Sequence, residues 1–197
     1  VEIVDIKSRL GYPSIDKNDL IHATFDQLFF GPELYSKIFQ NESNFSKNGF
    51  IENDKVIVTH ELIEALKKKF SNKIAIVTGR GFTAISSSLK EILNQFNVEN
   101  SVFLEDEPRD LAKPNPQSLI RVMKGLDSKN CLYVGDSMED FILTQNASEL
   151  GFKATFCGIY GSGKLPDMKK KLFTERGAPL ILETINQLPE ALLVQKS

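Results

Sequence analysis

The spacing of apolar side chains changes character near residue 49. From residue 14 up to that point only helical periods occur. Residues 14–31 carry Leu20, Phe25, Leu28 and Phe29 near one face of a 3.6-residue repeat, with Gly31-Pro32 as the stop, and 32–40 repeat the pattern with Leu34, Ile38 and Phe39. The polar run Gln40-Asn41-Glu42-Ser43-Asn44 and the pair Asn48-Gly49 mark a boundary. Beyond it the periods alternate. Helices are predicted over 59–70, 82–95 and 116–125 and from Met138, with strands over 73–77, at Val102, at Leu132, at Ala154 and near Leu180. Such alternation predicts an α/β fold, a doubly wound parallel sheet with helices on both faces. The expected division is a helical unit over 1–48 and an α/β core over 49–197. There is no internal repeat or low-complexity segment.

Composition narrows the partners. At 197 residues and 41% hydrophobic content the chain can bury a sizeable interior. A formal net charge of -2 gives no basic field for nucleic acid or an anionic membrane. No apolar run approaches the roughly 20 residues of a membrane helix, and no secretory pattern opens the sequence, so a cytoplasmic protein is expected. Cys131 and Cys157 lie inside apolar runs and read as reduced core thiols rather than a disulfide or metal pair. His22 and His60 are isolated, and the lysine runs 67–69 and 169–171 read as solvated helix faces.

Three sites carry candidate chemistry. In Leu132-Tyr133-Val134-Gly135-Asp136-Ser137-Met138-Glu139-Asp140, an apolar strand runs into a glycine that lets the backbone turn, which presents Asp136 at the carboxyl edge of a sheet. With a helix starting near Ser137, Asp140 falls on its first turn and both carboxylates can face one point. Two hard oxygen donors suit Mg²⁺; the same residues also suit a plain junction in which Asp136 caps the helix. Thr78-Gly79-Arg80-Gly81 follows the strand over 73–77 and has the composition of a phosphate cradle, where Arg80 either clamps an acidic substrate or forms a salt bridge. Lys113, in Lys113-Pro114-Asn115-Pro116, is held by its proline neighbours just before a helix. Glu105-Asp106-Glu107 reads as a solvated strand-end loop. Gly158 to Lys164 fits the first seven positions of a nucleotide-binding P-loop, but Leu165 stands where a metal-binding hydroxyl is needed, so the segment reads as a glycine-rich connection at the rim of a site.

A strand-end hydroxyl, then a lysine before proline, then Gly-Asp-x-x-x-Asp resembles the haloacid dehalogenase-like hydrolases, most of which are Mg²⁺-dependent phosphatases. The resemblance covers roughly residue 50 onward. What precedes it is similar to a small helical cap, with 25–35 similar to a cap stretch of archaeal-type members. The resemblance implies hydrolysis of a small phosphorylated metabolite through an aspartyl-phosphate. It implies that Thr78, Gly79 and Lys113 contact phosphate, with Arg80 beside them as the open candidate for a substrate contact, and that Thr78, Lys113 and Asp136 act in catalysis. It implies further that Asp136 holds Mg²⁺, with Asp140 joining it through a water or by orienting the ligand. The family's nucleophile is the first Asp of an Asp-x-Asp, and none occurs in this sequence. Its expected place is upstream of Val1, with Asp5, in Val1-Glu2-Ile3-Val4-Asp5-Ile6-Lys7, as a degenerate alternative. Because the family's first strand is central, the strands carrying Thr78 and Asp136 are expected not to pair directly. The other reading is an inactive phosphate-binding or regulatory protein that has lost the nucleophile. Neither the substrate nor the oligomeric state follows from the residues.

Overall fold

The computed structural model describes residues 20–194, which fall into two compact units. The described part of the first comprises 20–55 and 83–88. Its long element, α1 (Leu20–Phe39), is interrupted at Gly31, whose φ of 73° and ψ of 170° are open to glycine and strained for other residues. A Cβ there would also stand 2.5 Å from the Gly49 amide nitrogen. The break at Gly31-Pro32 is thus where the sequence predicts it, and the predicted helix before Leu20 lies outside the described residues. Phe30, Tyr35, Ile51 and Ala84 form the core of this unit, with Phe29, Leu34, Ile38 and Phe39 packed on it. Tyr35 and Phe39 rings lie 4.7 Å apart. Buried Gln27 is satisfied by the Asn44 amide, which donates to its Oε1 at 2.6 Å.

Strands and helices alternate in the second unit. Helix α2 (His60–Lys69) starts where Thr59 Oγ1 accepts from the Leu62 amide. Strand β1 (Val77–Thr78) pairs in parallel with β2 (Val102–Phe103). Helix α3 (Phe82–Leu89) contributes 83–88 to the first unit, then tightens into a 3₁₀ segment at Lys90–Gln95, so the single helix predicted over 82–95 is two pieces. Lys90 at φ 50° breaks the α-helical path. Helix α4 (Gln117–Gly125), strand β3 (Asn130–Gly135), helix α5 (Met138–Glu149), strand β4 (Lys153–Ile159), helix α6 (Pro166–Glu175), strand β5 (Leu180–Leu182) and helix α7 (Leu188–Val194) follow. β3, β4 and β5 form a parallel sheet in that order. Parallel sheets with flanking helices make this the expected α/β class.

The strand predicted over 73–77 is shorter than its apolar run. The Ile76 amide is taken by Ser101 Oγ at 3.0 Å, and Ile74 carbonyl accepts from the Asn97 amide, so turn and side-chain groups replace ladder partners there. Among the described strands β1 and β3 share no ladder, as expected, and residues 1–6 lie outside the described range. Leu119, Ile120 and Met123 of α4, Tyr133 of β3, Phe141, Leu143 and Ala147 of α5, Phe156 of β4 and Phe173 of α6 make one core. Phe141, Phe156 and Phe173 meet edge to face at 5.3 and 5.4 Å. Each such ring contributes on the order of 2 kcal/mol by leaving water.

Gly135 and Gly158 are register partners on β3 and β4. A Cβ on Gly135 would fall 2.6 Å from Asp140 Cβ and Oδ2, and one on Gly158 would fall 2.7 Å from Phe173 Cδ2. Gly135 is not among the positive-φ residues, so it is there for space and not, as its sequence context suggests, for a sharp turn. No helix among the described residues is long and apolar enough to cross a membrane.

Candidate active site

Helix α5 opens with a capping box. Ser137 Oγ accepts from the Asp140 amide at 3.2 Å, and Asp140 Oδ2 accepts from the Ser137 amide at 3.2 Å. The same Oδ2 accepts from Ser137 Oγ at 2.8 Å and from the Asp136 amide at 3.2 Å. On the other side, Oδ1 accepts from Lys113 Nζ at 2.7 Å and Tyr133 Oη at 3.0 Å. Asp140 is therefore a hub, 5% exposed, with both oxygens engaged by protein. Burial alone would raise its pKa, but Lys113, Ser137 and Tyr133 outweigh it and hold the carboxyl below its ordinary range.

Asp136, one residue past the strand, is in the opposite condition. Its side chain is 56% exposed. Among the described residues only Oδ2 is engaged, by Ser162 Oγ at 2.9 Å and Lys169 Nζ at 3.1 Å. An open carboxylate oxygen fits a hard cation that keeps several waters and binds one or two carboxylates plus phosphate oxygens. Asp140 fits orientation better than direct ligation. Among the described residues no group of three or more His, Cys, Asp or Glu forms a cage.

Tyr133 connects the rest. Its hydroxyl, 3.0 Å from Asp140 Oδ1, lies 3.3 Å from the Val77 carbonyl, next to Thr78. Burial first, then the neighbouring Asp140 charge, pushes its pKa well up, so it stays a neutral donor. Lys113 Nζ sits 5.7 Å from the Tyr133 ring centroid. Thr78 Oγ1 accepts from the Arg80 amide at 3.2 Å, which closes a tight turn after β1. Among the described residues a Cβ on exposed Gly79 would meet nothing within 4 Å. Lys113, Asp140, Tyr133 and the end of β1 thus form one contact chain, with Asp136 joined through its amide.

Thr78, Lys113, Tyr133, Asp136 and Asp140 all lie between residues 48 and 147. A haloacid dehalogenase-like hydrolase family model matches residues 48–147, which is 100 of 197 positions. The chain belongs to the haloacid dehalogenase-like hydrolases. Phosphatase Tt82 from Thermococcus thioreducens is a similar solved structure, at 22% identity and a TM-score of 0.56, over 80% of this chain and 57% of that one. At that identity the likeness concerns the fold. No curated protein matches the chain.

One sequence reading of this haloacid dehalogenase-like hydrolase is extended and another is corrected. Glu105 and Asp106 are exposed at the end of β2, as expected of a solvated strand-end loop, and each also takes up an amide: Glu105 Oε2 accepts from the Gly81 amide at 2.8 Å and Asp106 Oδ2 from the Phe82 amide at 2.7 Å. Two otherwise orphan amides at the start of α3 are satisfied from β2's end. A side chain on Gly81 would crowd both acids, its Cβ 2.7 Å from Asp106 Oδ1. The correction is Lys169, which is half-buried and no solvated face. Besides Asp136, its Nζ donates to Ser162 carbonyl at 2.9 Å. Its neighbours are nearer the expected role, Lys170 stacking over Tyr160 at 5.1 Å and Lys171 pairing with Glu175 at 3.7 Å. Sequence reading also missed Tyr133, and it placed the connection over 158–164 at the rim of the site, where Ser162 meets Asp136, without singling out Ser162. The available signal was topological: β4 runs beside β3, so the glycine-rich turn after β4 must end near Asp136.

Proposed function

We propose that the chain hydrolyses a small phosphomonoester, with Mg²⁺, through an aspartyl-phosphate. The observation that carries this is the contact of Lys113 with Asp140 at 2.7 Å, continued by Tyr133 to the end of β1. It links the hydroxyl turn, the lysine and the acid pair, the three features a phosphoryl-transfer site of this family combines. Phosphoryl transfer depends on positioning and on neutralising charge more than on covalent chemistry.

In this reading the Thr78 hydroxyl and Gly79 amide donate to a phosphate oxygen, and Lys113 holds phosphate and nucleophile by charge. Asp140 keeps Lys113 extended toward them. Asp136 would hold the metal, which when bound supplies positive charge between phosphate and nucleophile. Arg80 is assigned to the substrate side of the turn. The attacking carboxylate belongs outside the described residues; in the sequence, Asp5 ends an apolar run. The helical unit is assigned the family's cap role, selection of the substrate.

The test is release of phosphate from p-nitrophenyl phosphate and a panel of small phosphomonoesters by the intact protein, with Mg²⁺ and with a chelator. Turnover that needs the metal and falls in both Lys113→Ala and Asp136→Asn is expected. Hydrolysis indifferent to both substitutions sinks the reading.

A further inference from the structure

The contacts of Lys169 lie outside the sequence features that define the proposed site. Helix α6 starts at Pro166 and places Lys169 one turn in, with its side chain 24% exposed and its ammonium folded back on the preceding turn. Three acceptors hold that ammonium: Asp136 Oδ2 at 3.1 Å, Ser162 carbonyl at 2.9 Å and Ser162 Oγ at 3.2 Å. Ser162 Oγ itself donates to Asp136 Oδ2 at 2.9 Å. The turn is tied from its other side, where the Tyr160 amide donates to Leu182 carbonyl at 3.0 Å and the Gly161 amide to Glu183 carbonyl at 2.9 Å. Gly163, at φ 97°, lets the chain bend around the lysine.

We propose that Lys169 is a resident counter-ion of Asp136 that competes with the divalent cation, so that it sets how tightly the metal is held. The inference rests on the metal reading above. Two positive charges on one carboxylate repel, and a divalent cation at Oδ1 must either displace the ammonium or tolerate it a few ångströms away. Lys169 can leave because it swings on a flexible four-carbon stem and retains Ser162 carbonyl as an acceptor. Ser162, donating to the same carboxylate, marks when the ammonium is in place. Lys169 is therefore a positioning residue: it acts through Asp136.

Mn²⁺ binding to the intact protein, followed by calorimetry and electron paramagnetic resonance, tests this on the wild type, Lys169→Met, Lys169→Arg and Asp136→Asn. Lys169→Met should bind Mn²⁺ roughly three- to tenfold more tightly, a gain that shrinks as salt is raised. Lys169→Arg, which keeps the charge, should return most of the way to wild type. Asp136→Asn should weaken binding at least about tenfold. If Lys169→Met binds no more tightly while Asp136→Asn still loses the ion, the counter-ion inference is wrong and the metal reading stands. Undiminished binding by Asp136→Asn removes the metal reading, and the inference with it.

Discussion

Lys113 Nζ stands 2.7 Å from Asp140 Oδ1, and the two side chains are 14% and 7% exposed. An ion pair this dry is costly to break from one side, because the remaining charge stays buried. Lys113→Ala should therefore lower unfolding free energy by about 3 kcal/mol, measured by urea titration. In the intact enzyme the same change should reduce turnover far more than affinity for inorganic phosphate. A loss of stability with turnover preserved would take Lys113 out of the site and leave it a structural partner of Asp140.

The pair also fixes an acid limb. Asp140 has its pKa depressed in the folded state, so its contribution to stability is complete above the unfolded value of about 3.9 and is lost as pH falls through the lower native value. Stability of wild type and Asp140→Asn, compared from pH 7 down to about pH 2, should differ by a constant amount at the upper end. The difference should shrink below about pH 4. A gap that stays constant to the lowest pH would show that the carboxylate is not specially stabilised.

Asp136 is open where Asp140 is closed, so its replacement should separate activity from folding. Asp136→Asn retains shape and most bonding capacity; thermal unfolding should shift little, while Mg²⁺-dependent phosphomonoester turnover should drop by at least about two orders of magnitude. Near-full turnover would make the acid a junction residue only.

Asp106 satisfies the Phe82 amide at the start of α3. Asp106→Ala should cost about 1 kcal/mol, the usual size of a lost helix cap, and should loosen the turn between Thr78 and Gly81. Hydrogen exchange at Gly81 and Phe82 reads this directly. Unaltered protection there would mean the cap is dispensable.

Both cysteines are free thiols, and burial pushes Cys131 up to about 11 and Cys157 up to about 12. At pH 8 the native protein should react with a thiol reagent at a small fraction of the rate seen in denaturant, since almost no thiolate is present. Rapid native labelling would show that β3 or β4 opens readily.

What the sequence revealed follows from how each feature is encoded. The break in α1 and the order of strands and helices after residue 49 are written in local signals: Gly-Pro and changes of period. The brevity of β1 is not, because it is decided by Ser101 and Asn97, some twenty residues away. The same holds at the site. Thr78, Lys113, Asp136 and Asp140 stand in a recognisable order, yet the division of labour between the two acids depends on donors as far apart in sequence as Lys113, Tyr133, Ser162 and Lys169. Asp140 looks like the equal of Asp136 in sequence, and only the convergence of Lys113, Tyr133 and Ser137 on it shows that its oxygens are committed. Lys169 sits in a run of three identical residues, where nothing but the fold distinguishes the first.

The facing pair Gly135 and Gly158 leaves the last rung of β3 and β4 without side chains on the face toward α5 and α6. Those helices fill the notch themselves, one with the carboxylate of Asp140 and the other with the ring of Phe173. The upper rim of the sheet is thus upholstered by borrowed atoms, polar at one strand and aromatic at the next. Displacing either helix from the sheet would withdraw that lining at the same moment, so the packing of the interior and the aim of Lys113 cannot drift independently.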